Sequence, residues 1–369
     1  MKDTPAPATR HTVAVLQVRQ VLQGARHRGL APGPLLVRAG IPETLLESPL
    51  ARVSQAQYAA LLRVLRRALR DELWGLTSRR VRPGSFAQGA RQLLDTATLE
   101  QALRRGFAYW HLLVDDFVPR LDCQGEVARV RIVRLAPDGA RLDYAQKAFM
   151  LFALGLASWL VARRVPLIGV DYTLPPPAEP WAPRSANGTR TTPPGGSGEG
   201  AEPHSPESSR VYQAPIRWGQ PHIGFSFDAR WLALPVVQNA QSLREFLAAA
   251  PANLIVKYRD GASTSERIRR LLQRHLGGEM PSLEALAAQL GSTPQTLRRR
   301  LRAEGRGFQA LKDDLRRDAA IELLARPELT LIEVGHRLGF SEASTFHRAF
   351  KHWTGVAPGE YRQVRRHAA

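Results

Sequence analysis

A ten-residue pattern occurs twice near the C-terminus of this chain, and such a repeat restricts the fold more than any bulk property does. Ser282 to Gly291 reads Ser-Leu-Glu-Ala-Leu-Ala-Ala-Gln-Leu-Gly, and 48 residues later Thr330 to Gly339 reads Thr-Leu-Ile-Glu-Val-Gly-His-Arg-Leu-Gly. Each copy opens on a hydroxyl suited to cap a helix and closes on a glycine able to take the left-handed conformation that ends one. Small residues, Ala287 and Gly335, stand where two helices would have to approach closely. This is the punctuation of the first helix and tight turn of a helix-turn-helix.

A second helix is expected after each turn. In the first copy Thr293 caps, Pro294 suits the first helical position, and Leu297 and Leu301 point inward. In the second copy Ser341 is placed to cap, with Phe346, Phe350 and Trp353 inward. At about 100° per residue, the side opposite Leu297 carries Gln295, Arg299 and Arg302, with Arg298 on its flank. The side opposite Phe346 carries Ser344, Arg348 and Lys351, with His347 on its flank. Arg can bond a guanine edge bidentately, Gln an adenine edge, and Ser either type. Gln295, Arg298, Arg299, Ser344, His347 and Arg348 are therefore the candidate base readers, and Arg302 and Lys351 the candidate phosphate contacts. One such helix could equally be the solvated face of an ordinary bundle; two copies with matching caps, turn glycines and outward charges favour DNA. Between them, Phe308 to Leu324 is amphipathic, with Phe308, Leu311, Leu315, Ala319 and Leu323 on one stripe. A helix of that length would hold the two units in fixed relation, so that one chain could enter successive major grooves about 34 Å apart.

These residues resemble the DNA-binding domain of the AraC/XylS family of bacterial regulators. The resemblance is carried by Leu338-Gly339-Phe340-Ser341, by Phe346-His347-Arg348-Ala349-Phe350-Lys351, and by Gly355-Val356-Ala357-Pro358-Gly359-Glu360-Tyr361-Arg362, and spans about Ser265 to Arg366. It implies two helix-turn-helix units joined by a long helix. Gly335 stands where that family usually has Ala. The upstream region, about Val13 to Ala250, resembles the ligand-binding domain of relatives of the ornithine-utilisation regulator, through Gly40-Ile41-Pro42, Val53-Ser54 and the order of its elements. That resemblance implies effector sensing and dimerisation, with RNA polymerase as a further candidate partner and activation as the commoner sign of regulation.

The upstream pattern itself reads as α+β. Apolar residues recur at helical spacing over Val13 to Leu22, Tyr58 to Leu69 and Leu99 to Val114, with Ser54 and Thr98 as caps. Val127 to Leu135 and Pro166 to Leu174 read as strands around an apolar helix from Ala148 to Ala162, which falls short of the ~20 residues of a membrane span. Val211 to Trp218 and His222 to Phe227 read as short strands, and Ser242 to Ala249 as a short helix. The expected organisation is a disordered start over 1–11, an α+β sensing domain over 12–250, a linker over 251–262, and an all-α DNA-binding domain over 263–366. The sensing domain is interrupted at 175–210 by a Pro-, Gly- and Ser-rich insertion unable to offset its ordering entropy.

With 52 Lys plus Arg against 33 Asp plus Glu, the net charge of +19 suits a polyanionic partner. From residue 262 onward there are 19 basic and 12 acidic residues, so most of the surplus lies upstream and charge alone does not locate the binding face. One cysteine, Cys123, leaves no intramolecular disulfide or cysteine-based zinc site, fits a reducing cytoplasm, and is expected to pack beside a strand. No phosphate-binding glycine loop, His-Glu-x-x-His or Cys-x-x-Cys is present, and His347 and His352 lie off a common face. Asp115-Asp116 reads as a helix-end charge cluster. Phe107, Tyr109, Trp110 and His111 suit an effector pocket, though core packing is the simpler reading. The chain is thus expected to be a sequence-specific regulator of promoter DNA responding to a small molecule, without cofactor, metal, membrane anchor or catalysis. A DNA-processing enzyme and a nonspecific nucleoid-coating protein are the alternatives.

Overall fold

The computed structural model describes residues 12–137, 139–174, 212, 214–249, 263–304 and 307–363. The expectations for 1–11, 175–210 and 251–262 lie outside these. The first domain is α+β and the remainder is helical.

Two strands of two residues each, β1 (Val13–Ala14) and β2 (Arg52–Val53), pair antiparallel and bracket α1 (Val15–His27) and α2 (Pro32–Ala39). α3 (Gln55–Leu69) starts where expected: the Ser54 hydroxyl accepts from the Gln57 N–H at 3.1 Å and the Gln57 side chain accepts from the Ser54 N–H at 2.8 Å. α4 (Ser85–Leu93) and α5 (Leu99–His111) follow, the second capped by Thr98. The sheet combines β3 (Phe117–Gln124), β4 (Val127–Arg134), β5 (Leu167–Asp171), β6 (Ile216–Arg217) and β7 (Ile223–Asp228) in the order β3-β4-β7-β5-β6, with only the β5–β6 pair parallel. Ala128, Val130 and Ile132 on β4 alternate inward, while Arg131 turns outward to Asp122 at 2.7 Å. α6 (Ala140–Leu160) lies against β7, α1 and α5, and α7 (Ala240–Ala249) ends the domain on α4. Among the described residues no helix is long and apolar enough to cross a membrane.

Strand β3 carries no clear sequence signal because Pro119, Arg120 and Asp122 interrupt its apolar pattern. Its place at the edge of the sheet is what tolerates Pro119, whose missing N–H costs no ladder bond on the open side. Cys123 is exposed on this edge strand rather than packed.

The helical region comprises α8 (Thr264–Gln273), α9 (Leu283–Gln289), α10 (Pro294–Ala303), α11 (Phe308–Leu324), α12 (Leu331–Arg337), α13 (Ala343–Thr354) and α14 (Pro358–Gln363). Its two halves are built differently. The first unit has a core of its own, with Ile268, Leu272, Leu286, Leu297, Leu301, Leu311 and Leu315 closed on one another. The second unit does not: Ile321, Leu324, Val334, Phe346, Phe350 and Tyr361 belong to the same apolar cluster as the sensing domain.

Polar contacts seal that joint. The Ser48 hydroxyl donates to the Thr354 carbonyl at 2.8 Å, and the Tyr361 hydroxyl donates to the Arg52 carbonyl at 2.8 Å. The Thr12 hydroxyl donates to the Asp318 carboxylate of α11 at 2.5 Å and accepts from the Arg52 guanidinium at 2.7 Å. Asp318 also takes Arg269 of α8 at 2.8 Å, both side chains being almost wholly buried. One carboxylate therefore ties the sensing domain, the first unit and the connecting helix together. An ion pair removed from water in this way holds only because each charge finds its partners.

Candidate nucleic-acid interface

The repeat folds as two helix-turn-helix units. In the first, the Ser282 hydroxyl accepts from the Ala285 N–H at 3.2 Å to start α9, Gly291 takes φ +59° to end the turn, and the Thr293 hydroxyl accepts from the Thr296 N–H at 3.1 Å to start α10. In the second, the Thr330 hydroxyl accepts from the Glu333 N–H at 3.2 Å, while the Glu333 carboxylate accepts from the Thr330 N–H at 2.6 Å. The Thr330 backbone N–H, and then its hydroxyl, hold the Glu333 carboxyl below its ordinary range. Gly339 closes α12 at φ +80°. The start of α13 differs from expectation, because Glu342 and not Ser341 occupies the cap position, without a side-chain bond to the backbone. The turn of this unit is one residue longer, which moves Ser341 out of reach of the orphan N–H groups.

Close approach explains the small residues. Ala287 is buried, and a Cβ on Gly335 would meet the Phe346 Cβ at 3.4 Å, so α12 and α13 cross almost backbone to side-chain root. Leu297 and Leu301 seat α10, and Phe346 and Phe350 seat α13, all at 1 % exposure or less. Trp353 is half-buried and packs on Phe340.

With these faces fixed inward, Gln295, Arg298, Arg299 and Arg302 on α10 and Ser344, Arg348 and Lys351 on α13 are all exposed. They are not equivalent. Arg298 reaches back to Glu284 of α9 at 3.2 Å, and the Ser344 hydroxyl is held by Glu342 at 3.1 Å. His347 is half-buried with its ring set edge-on against Phe346. Gln295, Arg299, Arg302, Arg348 and Lys351 remain extended from the two helices with their donors uncommitted among the described residues. The arrangement can present two guanidinium forks and one amide to a groove, flanked by two further cations.

The connecting helix α11 has the bounds read from its stripe, with Leu311, Leu315, Ala319 and Leu323 buried. It is not the sole spacer. The loop after α8 touches the second turn directly: a Cβ on Gly277 would lie 3.1 Å from the Arg337 carbonyl oxygen, and one on Gly339 would lie 3.1 Å from that of Gly278. Gly277 takes φ +95°, so both conformation and space require glycine there. The pairwise contacts Gly277 to Arg337 and Gly278 to Gly339 left no trace in either helical repeat. The same is true of Arg269, Asp318 and Thr12, whose partners lie 49 and 306 residues away.

Two family models match the chain in the order of its two parts. Residues 29–186 match the family model of the arabinose-binding domain of AraC transcription regulators, and residues 286–364 match a helix-turn-helix domain model. The chain is 26 % identical over 365 residues to an ornithine utilization regulator of Pseudomonas aeruginosa, covering 98 % of this chain and 99 % of that protein. It is 35 % identical over 148 residues to the transcriptional regulator VirS of Mycobacterium tuberculosis, covering 40 % of this chain and 43 % of that one. Among solved structures, the transcriptional regulator CdpR of Pseudomonas aeruginosa aligns over 94 % of this chain and 98 % of its own, at 21 % identity and a TM-score of 0.27. An arabinose-binding-type domain and a double helix-turn-helix on one chain make this protein a DNA-binding transcription regulator, similar in both parts to regulators of the AraC family.

Proposed function

We propose that the chain is a cytoplasmic activator that reads promoter DNA through α10 and α13, with Gln295, Arg299 and Arg348 on base edges, Arg302 and Lys351 on phosphates, and Arg298, Ser344 and His347 as secondary contacts. The observation that carries this reading is the twin geometry: each second helix buries two large apolar side chains and holds an exposed, uncommitted arginine on the opposite side. Arginine in that setting bonds guanine bidentately in the major groove. The sensing unit, 12–250, would bias the arrangement of the DNA-binding unit, 263–366, through differential affinity of an effector for two states. RNA polymerase and a second copy of the chain complete the proposed assembly, and activation is the sign that the resemblance implies.

The test is selection of bound duplexes from a random pool with the full chain, followed by Arg299→Ala and Arg348→Ala. Each variant is expected to lose about 1 to 3 kcal/mol on the selected site and to relax preference at one base position. Equal loss on selected and scrambled duplexes would overturn base reading, and no enrichment at all would favour nonspecific coating instead.

A further inference from the structure

An apolar cavity with about 40 Å³ of free volume lies between α4, α5 and α6 of the sensing domain. Its wall is made of aliphatic and aromatic side chains, and among the described residues lining it none is ionisable. Phe107 and Trp110 of the aromatic run on α5 face it, whereas Tyr109 turns to the Ser85 carbonyl and His111 to solvent.

Two glycines on this wall have different reasons. Gly89 is required by packing, since a Cβ there would sit 2.8 Å from the Tyr109 ring. Gly106 is not: the nearest atoms to a Cβ would be the Leu93 methyls at 3.6 Å, an ordinary contact. A helix interior favours alanine over glycine, so the missing methyl at Gly106 keeps space that the fold does not need.

The outer side of the wall is α7. Leu243 and Phe246 pack on Phe86, Ala90 and Leu156, and the Phe246 ring stacks on Trp159 with centroids 4.6 Å apart. Phe86, Ala90 and Leu156 also line the cavity, so the same side chains touch its interior and α7. α7 is the last described element before residues 250–262, which lead into the DNA-binding unit.

We propose that this cavity is an effector site for a small neutral aromatic molecule, and that filling it displaces α7. The proposal rests on the reading of the chain as a ligand-responsive regulator. A sugar or a zwitterionic amino acid would lose its hydration there without gaining a partner, whereas an apolar ring gains from leaving water. Apolar cavities in protein interiors bind such rings. Because the free volume is smaller than a ring and the interior is close-packed, the ligand must push Phe86 and Leu156 outward against α7. That coupling makes occupancy a signal: the state with α7 displaced binds the ligand better, and the ligand shifts the population toward it.

Toluene is the probe, with benzoate and L-arabinose as charged and polyhydroxylated comparisons. With the full chain, toluene is expected to raise the thermal unfolding midpoint and to change affinity for the selected duplex about fivefold or more. Gly106→Leu fills the cavity and should abolish both effects. Gly106→Ala, which the helix accommodates, should raise the midpoint by itself and weaken the toluene shift. Phe246→Ala should keep the toluene shift in unfolding while losing the change in DNA affinity. A toluene shift of equal size in wild type and both Gly106 variants, or none in wild type, overturns the site. Response to benzoate or L-arabinose but not toluene overturns the apolar class and leaves a ligand-responsive regulator standing. Failure of the full chain to enrich any duplex overturns that underlying reading instead.

Discussion

Single residues carry two separable loads here, the buried charge at Asp318 and the close approach at Gly335. Asp318 is satisfied by Arg269, Arg317 and Thr12 together. Arg269→Met would leave the carboxylate buried without its closest cation, and a loss of about 3 to 5 kcal/mol is expected from denaturant unfolding. Thr12→Val removes only a neutral donor and should cost about 1 kcal/mol; equal losses for the two would show that the ion pair is not the dominant contact. At Gly335 the added methyl of Gly335→Ala would reach the Phe346 Cβ at 3.4 Å, a contact the packing accepts. The gain in helix propensity should then raise stability by about 0.5 to 1 kcal/mol, and a lower unfolding midpoint would mean that α12 and α13 cannot separate even slightly. Gly335 was legible as a place of close approach because its sequence neighbours fix the helix phase. Asp318 was not, because a charged residue at the margin of an apolar stripe carries no mark of which partners will meet it.

At the scale of elements, side-chain caps start α9, α10 and α12, and the cores decide which way the helices face. Thr330→Ala removes the acceptor for the Glu333 N–H, and about 0.5 to 2 kcal/mol of stability in the second unit should go with it. The partner group titrates: the Glu333 carboxyl is held low by the Thr330 N–H and hydroxyl. A carboxyl depressed in the folded state stabilises above its unfolded value and loses that contribution as pH falls through the folded one. Protection of the α12 amides, taken relative to their intrinsic exchange rate, should therefore fall in that acid range in wild type and show less pH dependence in Glu333→Gln. Both turns, both first helices, α10 and α11 could be read from caps and apolar spacing, since these signals are local. The edge strand β3 and the helices α2 and α4 could not, because Pro119, the Gly33-Pro34 pair and Gly89 break the local pattern and only their neighbours in space make those segments regular. The start of α13 was misplaced by one residue for a related reason: Ser341 has the right chemistry, but the turn geometry puts Glu342 at the cap.

Across the whole molecule, the second helix-turn-helix is built into the sensing domain while the first stands on its own core. Phe350→Ala should therefore do more than loosen one unit. A cost of about 3 to 5 kcal/mol is expected, and hydrogen exchange should show added opening both in α12 and at the β1–β2 pair; loss confined to α13 and α14 would show the two parts to be independent. A fragment starting at residue 263 exposes the surface that Ser48, Arg52 and Thr12 cover, so its first unit should resist proteolysis longer than its second. The second helix of each unit, its inward and outward faces and the helix that joins the units were legible in local sequence, because helical period and capping act within a few residues of chain. Folding in three dimensions settled which candidate readers stay uncommitted, how the two units touch through Gly277, Gly278 and Gly339, and where the sensing domain seats the second unit. Those outcomes depend on contacts between residues far apart in the chain, and no local propensity encodes a partner 306 positions away.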